Sequence, residues 1–356
     1  ILISKNIYLV YRKKVIMIII LLGVGLGLLF VIRFLQIFFW DNTSFENRYS
    51  YVFVDSDDNI DSLAIQLDPL LKSTSNFHRV AKKKGYSINI RVGKYMIEKG
   101  MSNNDIVNTL WSQRLTSNVV FNNQERLQDL ANRISLQIEP DSLELISAFQ
   151  DPIFLDQNGF TLENALSMYL PNSYNVFWDN SPEEFRDLML KSYKRFWNKD
   201  RMKKAKKLGL TPNEVYILAS IVNKESIKKD EQPIIAGLYL NRLRKKMKLQ
   251  ADPTVIYALK KESNNFDLII KRVLYKDLQL KSKYNTYRYR GLPPGPICMP
   301  DLSTIDAVLN PKLHSYLYFV ASPLKPGYHL FAKNLREHKK NKKIYTEWLN
   351  KQNLYR

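Results

Sequence analysis

An uncharged apolar run near the beginning of the chain restricts its possible folds more than any other feature. Residues 15–32 read VIMIIILLGVGLGLLFVI and contain no charged side chain. As an α-helix with a rise of about 1.5 Å per residue, the run spans about 27 Å, which is close to the hydrocarbon thickness of a bilayer. The segment FLQIFFW then extends the apolar character to Trp40 with aromatic residues of the kind found at membrane interfaces. The sequence therefore predicts a single transmembrane helix over residues 15–39.

The residues around this span predict an uncleaved anchor and its orientation. A cleaved signal peptide has a shorter apolar region followed by small residues at an A-x-A-like cleavage site, and no such site follows here. Four basic residues precede the span, whereas only Arg33 and Arg48 follow it closely. The positive-inside rule makes residues 1–14 a cytoplasmic tail and places residues 41–356 outside the cytosol. We expect a single-pass protein of the cytoplasmic (inner) membrane, with most of its chain on the extracytoplasmic or periplasmic side.

Composition excludes several classes of protein. The 356 residues, of which 45% are hydrophobic, suffice for two or three folded units. A single cysteine, Cys298, excludes an intramolecular disulfide framework and a cysteine-rich zinc site. The four histidines have neither H-x-x-x-H nor H-E-x-x-H spacing. These patterns therefore predict no metal site of the zincin or cysteine-rich kind.

The net charge of +20 is concentrated in the second half of the chain. Residues 1–190 sum to −3 and residues 191–356 to +23. Such a basic unit suggests a polyanionic partner, most often nucleic acid. An exported segment does not meet chromosomal DNA, however, so we predict no nucleic-acid partner. Between Lys194 and Lys207, eight basic residues stand against one acidic residue. A solvated helix face and a surface that attracts anionic phospholipid or acidic wall polymer both fit this run.

The segment after the anchor predicts a small α+β unit. Residues 51–97 read as strand, helix, helix and strand, with apolar strand-like runs at both ends. This order resembles that of a LysM module, a small glycan-binding fold of bacterial walls. A packing domain without a glycan site has the same pattern, and both interpretations stay open. We assign residues 40–115 to this LysM-like subdomain and residues 116–190 to an intermediate α+β segment.

A helix predicted from Thr211 onward places a carboxylate on its apolar side. Thr211 and Glu214 form a capping box, and Pro212 occupies the first helical position. At 100° per residue, Glu225 falls inside the apolar arc of the string VYILASIVNKES. Because an isolated buried charge is costly, such a carboxylate is paired, protonated or functional. Burial raises the pKa of a carboxyl, as a general acid at neutral pH requires. A buried ion pair with Arg or Lys is the alternative.

Six strings of residues follow one another in order from this helix to residue 338. They are ASIVNKES (219–226), GLYLNRL (237–243), LQADPTVIYAL (249–259), KYNTYRYRGLPPGPICMP (283–300), YLYFVAS (316–322) and GYHLFAKNLREH (327–338). Their order and wording resemble the YceG-like (MltG) family of endolytic murein transglycosylases, and the resemblance covers nearly everything from about residue 45 onward. Asn223 stands where relatives commonly have glutamate, so Glu225 is the acid of this pattern that remains.

This resemblance implies an activity and a mechanism. Lytic transglycosylases cleave the MurNAc-β-1,4-GlcNAc bond of peptidoglycan without water and leave a 1,6-anhydroMurNAc end. One carboxylic acid protonates the leaving oxygen, and its carboxylate then takes the proton of the MurNAc C6 hydroxyl. A single acid is enough, whereas ordinary glycoside hydrolases use two carboxylates. The resemblance assigns the catalytic role to Glu225.

The resemblance also implies an architecture and partners. The expected fold is α+β, with one transmembrane helix, a LysM-like subdomain, and a mixed α+β catalytic domain over residues 191–356. A role in ending the elongation of nascent strands implies two kinds of partner. These are peptidoglycan glycan strands and membrane-embedded peptidoglycan synthases (penicillin-binding proteins). The resemblance implies no metal and no organic cofactor.

The same strings contain amides, hydroxyls and aromatic faces, which are the groups that hold sugar rings. The implied substrate-binding residues are Ser226, Asn241, Gln250, Asp252, Thr254, Tyr284, Asn285, Thr286 and Tyr287. Asp252 is equally consistent with the N-cap of a helix over PTVIYAL, and residues 284–287 are consistent with a β-strand. Residues 291–295 predict a rigid loop that walls the cleft.

Some roles stay open at this point. Cys298 is expected to be a packing residue, and His329 and His338 are either structural or in contact with substrate. Two other functions also fit the sequence. One is a muramidase-type peptidoglycan hydrolase, which would use Asp252 as its second carboxylate. The other is a non-catalytic peptidoglycan-binding scaffold.

Overall fold

The structure is a computed structural model that describes the backbone of residues 2–352 and the side chains of residues 11–352. The outermost ends of the predicted cytoplasmic tail and of the predicted catalytic domain lie outside the described residues. The chain forms two compact units. The first comprises the chain up to residue 117 together with residues 175–179, and the second comprises residues 118–174 and the chain from residue 180 onward.

The first unit begins with one long apolar helix, α1 (Leu2–Phe39). Residues 11–39 of this helix are long and apolar enough to cross a membrane, and none of the apolar window within them is buried. Large apolar side chains exposed in this way are unfavourable in water and favourable in hydrocarbon. The helix begins well before residue 15, because the preceding Arg and Lys residues are good helix formers.

The rest of the first unit is a two-stranded sheet packed with helices. Its elements are β1 (Tyr49–Val54), α2 (Ile60–Leu67), α3 (Thr74–Lys83), β2 (Gly93–Glu98) and α4 (Asn103–Ser112). The strands pair antiparallel, and their inward side chains share one core with Leu63, Phe77 and Ile106. The predicted order of strand, helix, helix and strand is confirmed. α4 starts with the predicted capping box of Ser102 and Asp105.

Two strands contain the points at which the chain is divided into the two units. β3 (Thr116–Phe121) and β4 (Asn172–Phe177) pair with each other, and the boundary between the units falls within each strand. The second unit contains five helices next in chain order, namely α5 (Leu127–Ser135), α6 (Ser142–Phe149), α7 (Pro152–Gln157), α8 (Pro182–Phe196) and α9 (Lys199–Leu208). α9 contains most of the basic residues between Lys194 and Lys207, and the residue that it buries is Ala205. This pattern fits a helix with a solvated basic face.

Four helices form the centre of the second unit. They are α10 (Pro212–Glu225), α11 (Gln232–Arg244), α12 (Asp252–Glu262) and α13 (Leu302–Leu309). α10 is buried continuously from Val215 to Val222, so it lies in the middle of this core. The predicted capping box at Thr211, with Pro212 in the first turn, fixes its start.

A hairpin and a final helix complete the second unit. These elements are β5 (Tyr318–Ala321), β6 (His329–Ala332) and α14 (Leu335–Lys351). The two strands pair antiparallel with Phe319 opposite Phe331, and α14 packs against both strands. The predicted mixture of helix and strand is therefore confirmed.

Candidate active site

The last turn of α10 brings Glu225 to the wall of a cavity. Glu225 is the final residue of the helix, and Ser226 is its C-cap. The side chain of Glu225 is half-buried, in agreement with its predicted place in the apolar arc. The cavity has a volume of about 350 Å³. It is lined by Glu225, Arg242, Leu249, Gln250, Asp252, Tyr287, Tyr318, Phe319, Leu335 and His338.

The surroundings of Glu225 favour its protonated form. Burial, with a smaller contribution from the negative charge of Asp252, raises the pKa of this carboxyl to about 7, while Tyr239 and Arg242 oppose the rise. The hydroxyl of Tyr239 donates a hydrogen bond to Oε1 of Glu225 at 2.7 Å. At neutral pH the protonated and ionised forms are both populated. A group that must first give a proton and then take one back needs this balance.

Tyr239 is a fixed donor to Glu225. Burial and the neighbouring Glu225 raise the pKa of the Tyr239 hydroxyl well above its usual range, so the hydroxyl keeps its proton. The ring of Phe319 packs edge-on against Tyr239 with 6.1 Å between centroids. Since Tyr239 donates to Oε1, we assign the proton that Glu225 can transfer to Oε2.

Asp252 is the second carboxylate of the cavity and has different surroundings. It is the first residue of α12, it is exposed, and Tyr287 donates its phenolic proton to Oδ1. The interpretation of Asp252 as an N-cap is wrong, because Ala251 occupies the cap position. Burial and the Asp252 carboxylate raise the pKa of Tyr287, so this hydroxyl also stays protonated.

A turn held by several hydrogen bonds places Gln250 and Asp252 at the cavity wall. Gln250 has a φ of 52°, a conformation that residues other than glycine rarely adopt. The backbone amide of Gln250 donates to the Thr286 carbonyl at 3.2 Å, and the backbone amide of Ala251 donates to the Thr286 hydroxyl at 3.0 Å. The hydroxyls of Thr254 and Thr286 are 2.8 Å apart. These contacts offset the backbone strain and join the DPT turn to the YNTY turn.

Three of the predicted substrate-binding residues build these turns from inside. Thr254, Asn285 and Thr286 are buried. The side-chain amide of Asn285 donates to two backbone carbonyls, and its oxygen accepts the amide of Tyr287. Because these local bonds bend the chain, residues 284–287 form turns, and the alternative of a β-strand is wrong.

Three other predicted residues lie away from the cavity. Ser226 donates to the carboxylate of Glu231 at 3.2 Å. The side-chain amide of Asn241 donates to backbone carbonyls in the segment before β5. Tyr284 is 3% exposed and packs against Tyr257 beside a different cavity. The predicted binding residues that do lie with Glu225 are Gln250, Asp252 and Tyr287.

The sequence interpretation missed Tyr239 and Arg242. They lie three positions apart on α11, so they share one face of the helix, and this spacing within GLYLNRL was a usable signal. Arg242 is buried, and it donates to the Leu317 carbonyl at 2.6 Å and to the Leu249 carbonyl at 2.7 Å. It thereby joins the hairpin to the turn before α12 and places a positive charge near Glu225.

The two histidines with open roles have different places. His338 on α14 lines the cavity, and its ring stacks on Tyr318 with 5.2 Å between centroids. Burial and the charges of Lys342 and Arg242 lower the pKa of His338, so its ring is neutral at pH 7. Within the described part of the chain, its buried Nδ1 has no hydrogen-bond partner.

Glu231 and His329 form a buried pair next to the end of α10. Glu231 is 3% exposed, and its Oε2 lies 2.8 Å from Nδ1 of His329. Its Oε1 accepts the backbone amide of His329 at 2.8 Å, and Oε2 also accepts the Ser226 hydroxyl. The pair therefore ties the residue after Glu225 to strand β6, which positions the end of the helix.

Other groups of potential chemistry are inert or dispersed. Burial raises the pKa of Cys298 to about 12, so this thiol is an unreactive packing residue. Among residues 11–352, no group of three or more His, Cys, Asp or Glu side chains is arranged to hold a metal ion.

Comparisons with known proteins agree on one family. A family model described as the YceG-like family matches residues 52–344. The chain is 32% identical to the endolytic murein transglycosylase of Bacillus subtilis (strain 168), over 79% of this chain and 80% of that protein. It is 26% identical to the endolytic murein transglycosylase of Streptococcus pneumoniae serotype 2, over 83% of this chain and 58% of that protein. A 2.6 Å crystal structure of a yceG-like protein from Listeria monocytogenes superposes with a TM-score of 0.54 and 26% identity, covering 83% of this chain and 99% of that one.

Proposed function

This chain belongs to the YceG-like family, and from that premise we propose that it is a membrane-anchored enzyme that cuts peptidoglycan glycan strands internally. It is a lytic transglycosylase, as its relatives' names indicate. The bond cleaved is the MurNAc-β-1,4-GlcNAc linkage, and the products end in 1,6-anhydroMurNAc. The observation that carries this proposal is the half-buried carboxyl of Glu225 on the wall of a cavity, held by a hydrogen bond from Tyr239.

The geometry around Glu225 suits both proton transfers of such a reaction. Protonated Glu225 gives its Oε2 proton to the glycosidic oxygen, and the bond between that oxygen and C1 of MurNAc breaks. The resulting carboxylate takes the proton of the C6 hydroxyl, whose oxygen bonds to C1 and closes the anhydro ring. Glu225 is protonated again at the end. Tyr239 donates to Oε1 throughout, which stabilises the carboxylate between the two transfers.

Arg242 and Asp252 adjust this acid in opposite directions. The guanidinium lowers the pKa of Glu225 and the carboxylate raises it. The result stays near the working pH, where a group that acts first as acid and then as base is most effective. Gln250 and Tyr287 line the same cavity and are the proposed substrate contacts, together with the exposed edge of Asp252.

One observation favours a second candidate function. Asp252 lines the same cavity as Glu225, so a muramidase could use it to activate water. Mass spectrometry of fragments released from uncrosslinked glycan strands separates the two functions. We expect anhydro ends, which are lighter than hydrolysed reducing ends by one water. Hydrated ends as the main product would overturn the transglycosylase proposal in favour of hydrolysis.

The location and the partners form part of the same proposal. α1 serves as the anchor, and the excess of basic residues before it favours a cytosolic N-terminus and an extracytoplasmic catalytic part. The β1–α2–α3–β2 unit within residues 40–115 supports a LysM-like subdomain. Residues 116–190 are the intermediate segment, and residues 191–356, which contain the whole cavity lining, are the catalytic domain. Cleavage of nascent strands beside peptidoglycan synthases would end strand elongation.

A further inference from the structure

Besides the Glu225 cavity, two adjoining cavities lie in the same unit. One has a volume of about 330 Å³ and includes Arg126, Tyr257 and Phe266 in its wall. Its neighbour has a volume of about 790 Å³. Both are lined by Glu163, Lys261 and Tyr284, so they form one continuous surface, which we call the distal cavity.

Two of the motifs that define this family contribute residues to the wall of the distal cavity. Tyr284 comes from YNTY, and Pro294 and Pro296 come from GLPPGPI. The wall they form is rigid, because a Cβ added to Gly295 would lie 1.8 Å from the carbonyl oxygen of Glu163. The loop is therefore packed directly on the backbone at residue 163, and the cavity is preformed.

The distal cavity and the Glu225 cavity share structural walls. α12 begins at Asp252 in the Glu225 cavity and reaches the distal cavity at Tyr257 and Lys261. With a rise of about 1.5 Å per residue, positions 252 and 261 are about 14 Å apart along the helix. The turn of residues 284–287 likewise sends Tyr287 to one cavity and Tyr284 to the other. A polymeric substrate held at Glu225 can therefore extend a substituent to the distal cavity.

The charges around the distal cavity are of both signs. Lys261, Lys281 and Lys283 supply cations, and Glu163 and Glu262 supply anions, all of them exposed. Within residues 11–352, none of these five side chains forms a salt bridge. The ammonium of Lys261 instead lies 4.7 Å from the centroid of the Tyr284 ring. A purely anionic polymer would be repelled by the two glutamates, and an uncharged sugar needs neither set of charges.

We propose that the distal cavity binds the peptide substituent of the glycan strand that is cut at Glu225. An uncrosslinked peptide carries carboxylates and a free amine, which match the lysines and the glutamates respectively. Lys261 binds a carboxylate and Glu163 binds the ammonium, while Tyr257 and Tyr284 contact the aliphatic side chains. The distal cavity thus selects peptide-bearing strands. This inference rests on the proposed function.

The test compares two substrates of the full-length protein in detergent. One is uncrosslinked glycan with its peptides, and the other is the same glycan after an amidase has removed them. Lys261→Met keeps the aliphatic stem on Tyr284 and removes the charge. We expect it to raise KM for peptide-bearing strands roughly tenfold, the effect of one lost charge-assisted hydrogen bond, and to leave kcat unchanged. KM for peptide-free strands should stay as in the wild type. Lys271→Met, an exposed lysine outside both cavity linings, is the matched control.

A second variant tests the negative charge of the distal cavity. It also provides a test if Lys261→Met does not fold. Glu163→Gln should raise KM for peptide-bearing strands, and acetylation of the peptide amines should produce the same rise in the wild type and no further rise in the variant. An equal rise on both substrates would show that the distal cavity holds sugar and would overturn the inference, as would no change on either. A wild type that releases no anhydro ends from either substrate would instead overturn the proposed function.

Discussion

The end of α10 and the start of α11 each place a glutamate in the protein interior, and the two carboxylates are held in opposite ways. Glu231 accepts hydrogen bonds from the backbone and the side chain of His329 and from Ser226, so three groups hold it in place. Glu225, six positions earlier, receives one neutral donor, Tyr239, and lies near the negative Asp252. For Glu225, burial outweighs the opposing effects of Tyr239 and the positive Arg242, so its pKa is raised to about 7. The two carboxylates therefore differ in the number of donors that surround them.

Of the two carboxylates, Glu225 should have the larger effect on activity when it is replaced. Glu225→Gln keeps the volume of the side chain and removes the transferable proton. Loss of general acid–base catalysis lowers rates by about 10²–10⁴-fold, and we expect the upper end because one group performs both transfers. The measurement is the rate of anhydro-end release from uncrosslinked strands by purified, folded protein. Release at a near-normal rate would remove Glu225 as the catalytic residue.

The same carboxyl should make the wild type less stable at alkaline pH. The native state keeps the proton of Glu225 up to about pH 7, whereas the unfolded chain releases it near pH 4.5. Rising pH therefore favours unfolding across this window, by roughly 3 kcal/mol for this group when both states are ionised. Glu225→Gln lacks this loss, so it should gain stability relative to the wild type between pH 5 and pH 8. Parallel pH dependences in denaturant unfolding would contradict the raised pKa.

Glu231→Gln should lower the stability of the protein and affect its activity less than Glu225→Gln does. The amide cannot satisfy the imidazole, the backbone amide and the Ser226 hydroxyl together, so we expect a loss of about 1–3 kcal/mol in unfolding free energy. Activity should fall less than in Glu225→Gln, because the change displaces the end of α10 and leaves the acid in place. Thermal unfolding and anhydro-end release on the same sample measure both effects. A folded Glu231→Gln as inactive as Glu225→Gln would show that Glu231 takes part in the chemistry.

Removing the donor from Tyr239 should shift the acid without removing it. The Tyr239 hydroxyl lowers the pKa of Glu225, so Tyr239→Phe raises it further. The alkaline limb of the pH profile of kcat/KM should then move upward by about 1 pH unit, the equivalent of one neutral hydrogen bond. Tyr216→Phe is the matched control, since its buried hydroxyl donates to the Tyr169 carbonyl instead. Identical profiles for both variants would remove Tyr239 from the tuning of Glu225.

Local signals explain which parts of the site the sequence could predict. The start of α10 and the inward direction of Glu225 depend on a capping box and on helical periodicity within fifteen positions, Thr211 to Glu225. Tyr239 and Arg242 had a signal of the same kind in their spacing on α11. The pair of Glu231 and His329 joins residues 98 positions apart, and no local pattern encodes it.

The predicted binding residues show a different limit of prediction from sequence. Thr254, Asn285 and Thr286 belong to motifs rich in the groups that hold sugars, yet the structure uses these groups to fix two turns. A polar side chain in a motif can satisfy the backbone of its own loop as well as a ligand. Composition does not separate the two uses. The separation requires the position of the side chain relative to the cavity, which for Tyr284 and Tyr287 differs within a single turn.

Asp252→Asn gives the smallest expected effect and the sharpest contrast with Tyr239→Phe. The amide oxygen of Asn still accepts the Tyr287 hydroxyl, so the turn is retained. The negative charge that raises the pKa of Glu225 is lost, so the alkaline limb of kcat/KM should move downward, opposite to Tyr239→Phe. Because Asp252 is exposed and screened by solvent, the shift should be below about 1 pH unit. The rate of anhydro-end release at the optimum should fall only a few-fold, far less than the loss expected for Glu225→Gln. If folded Asp252→Asn instead loses activity as completely as Glu225→Gln, the reaction needs two carboxylates, and the single-acid mechanism fails.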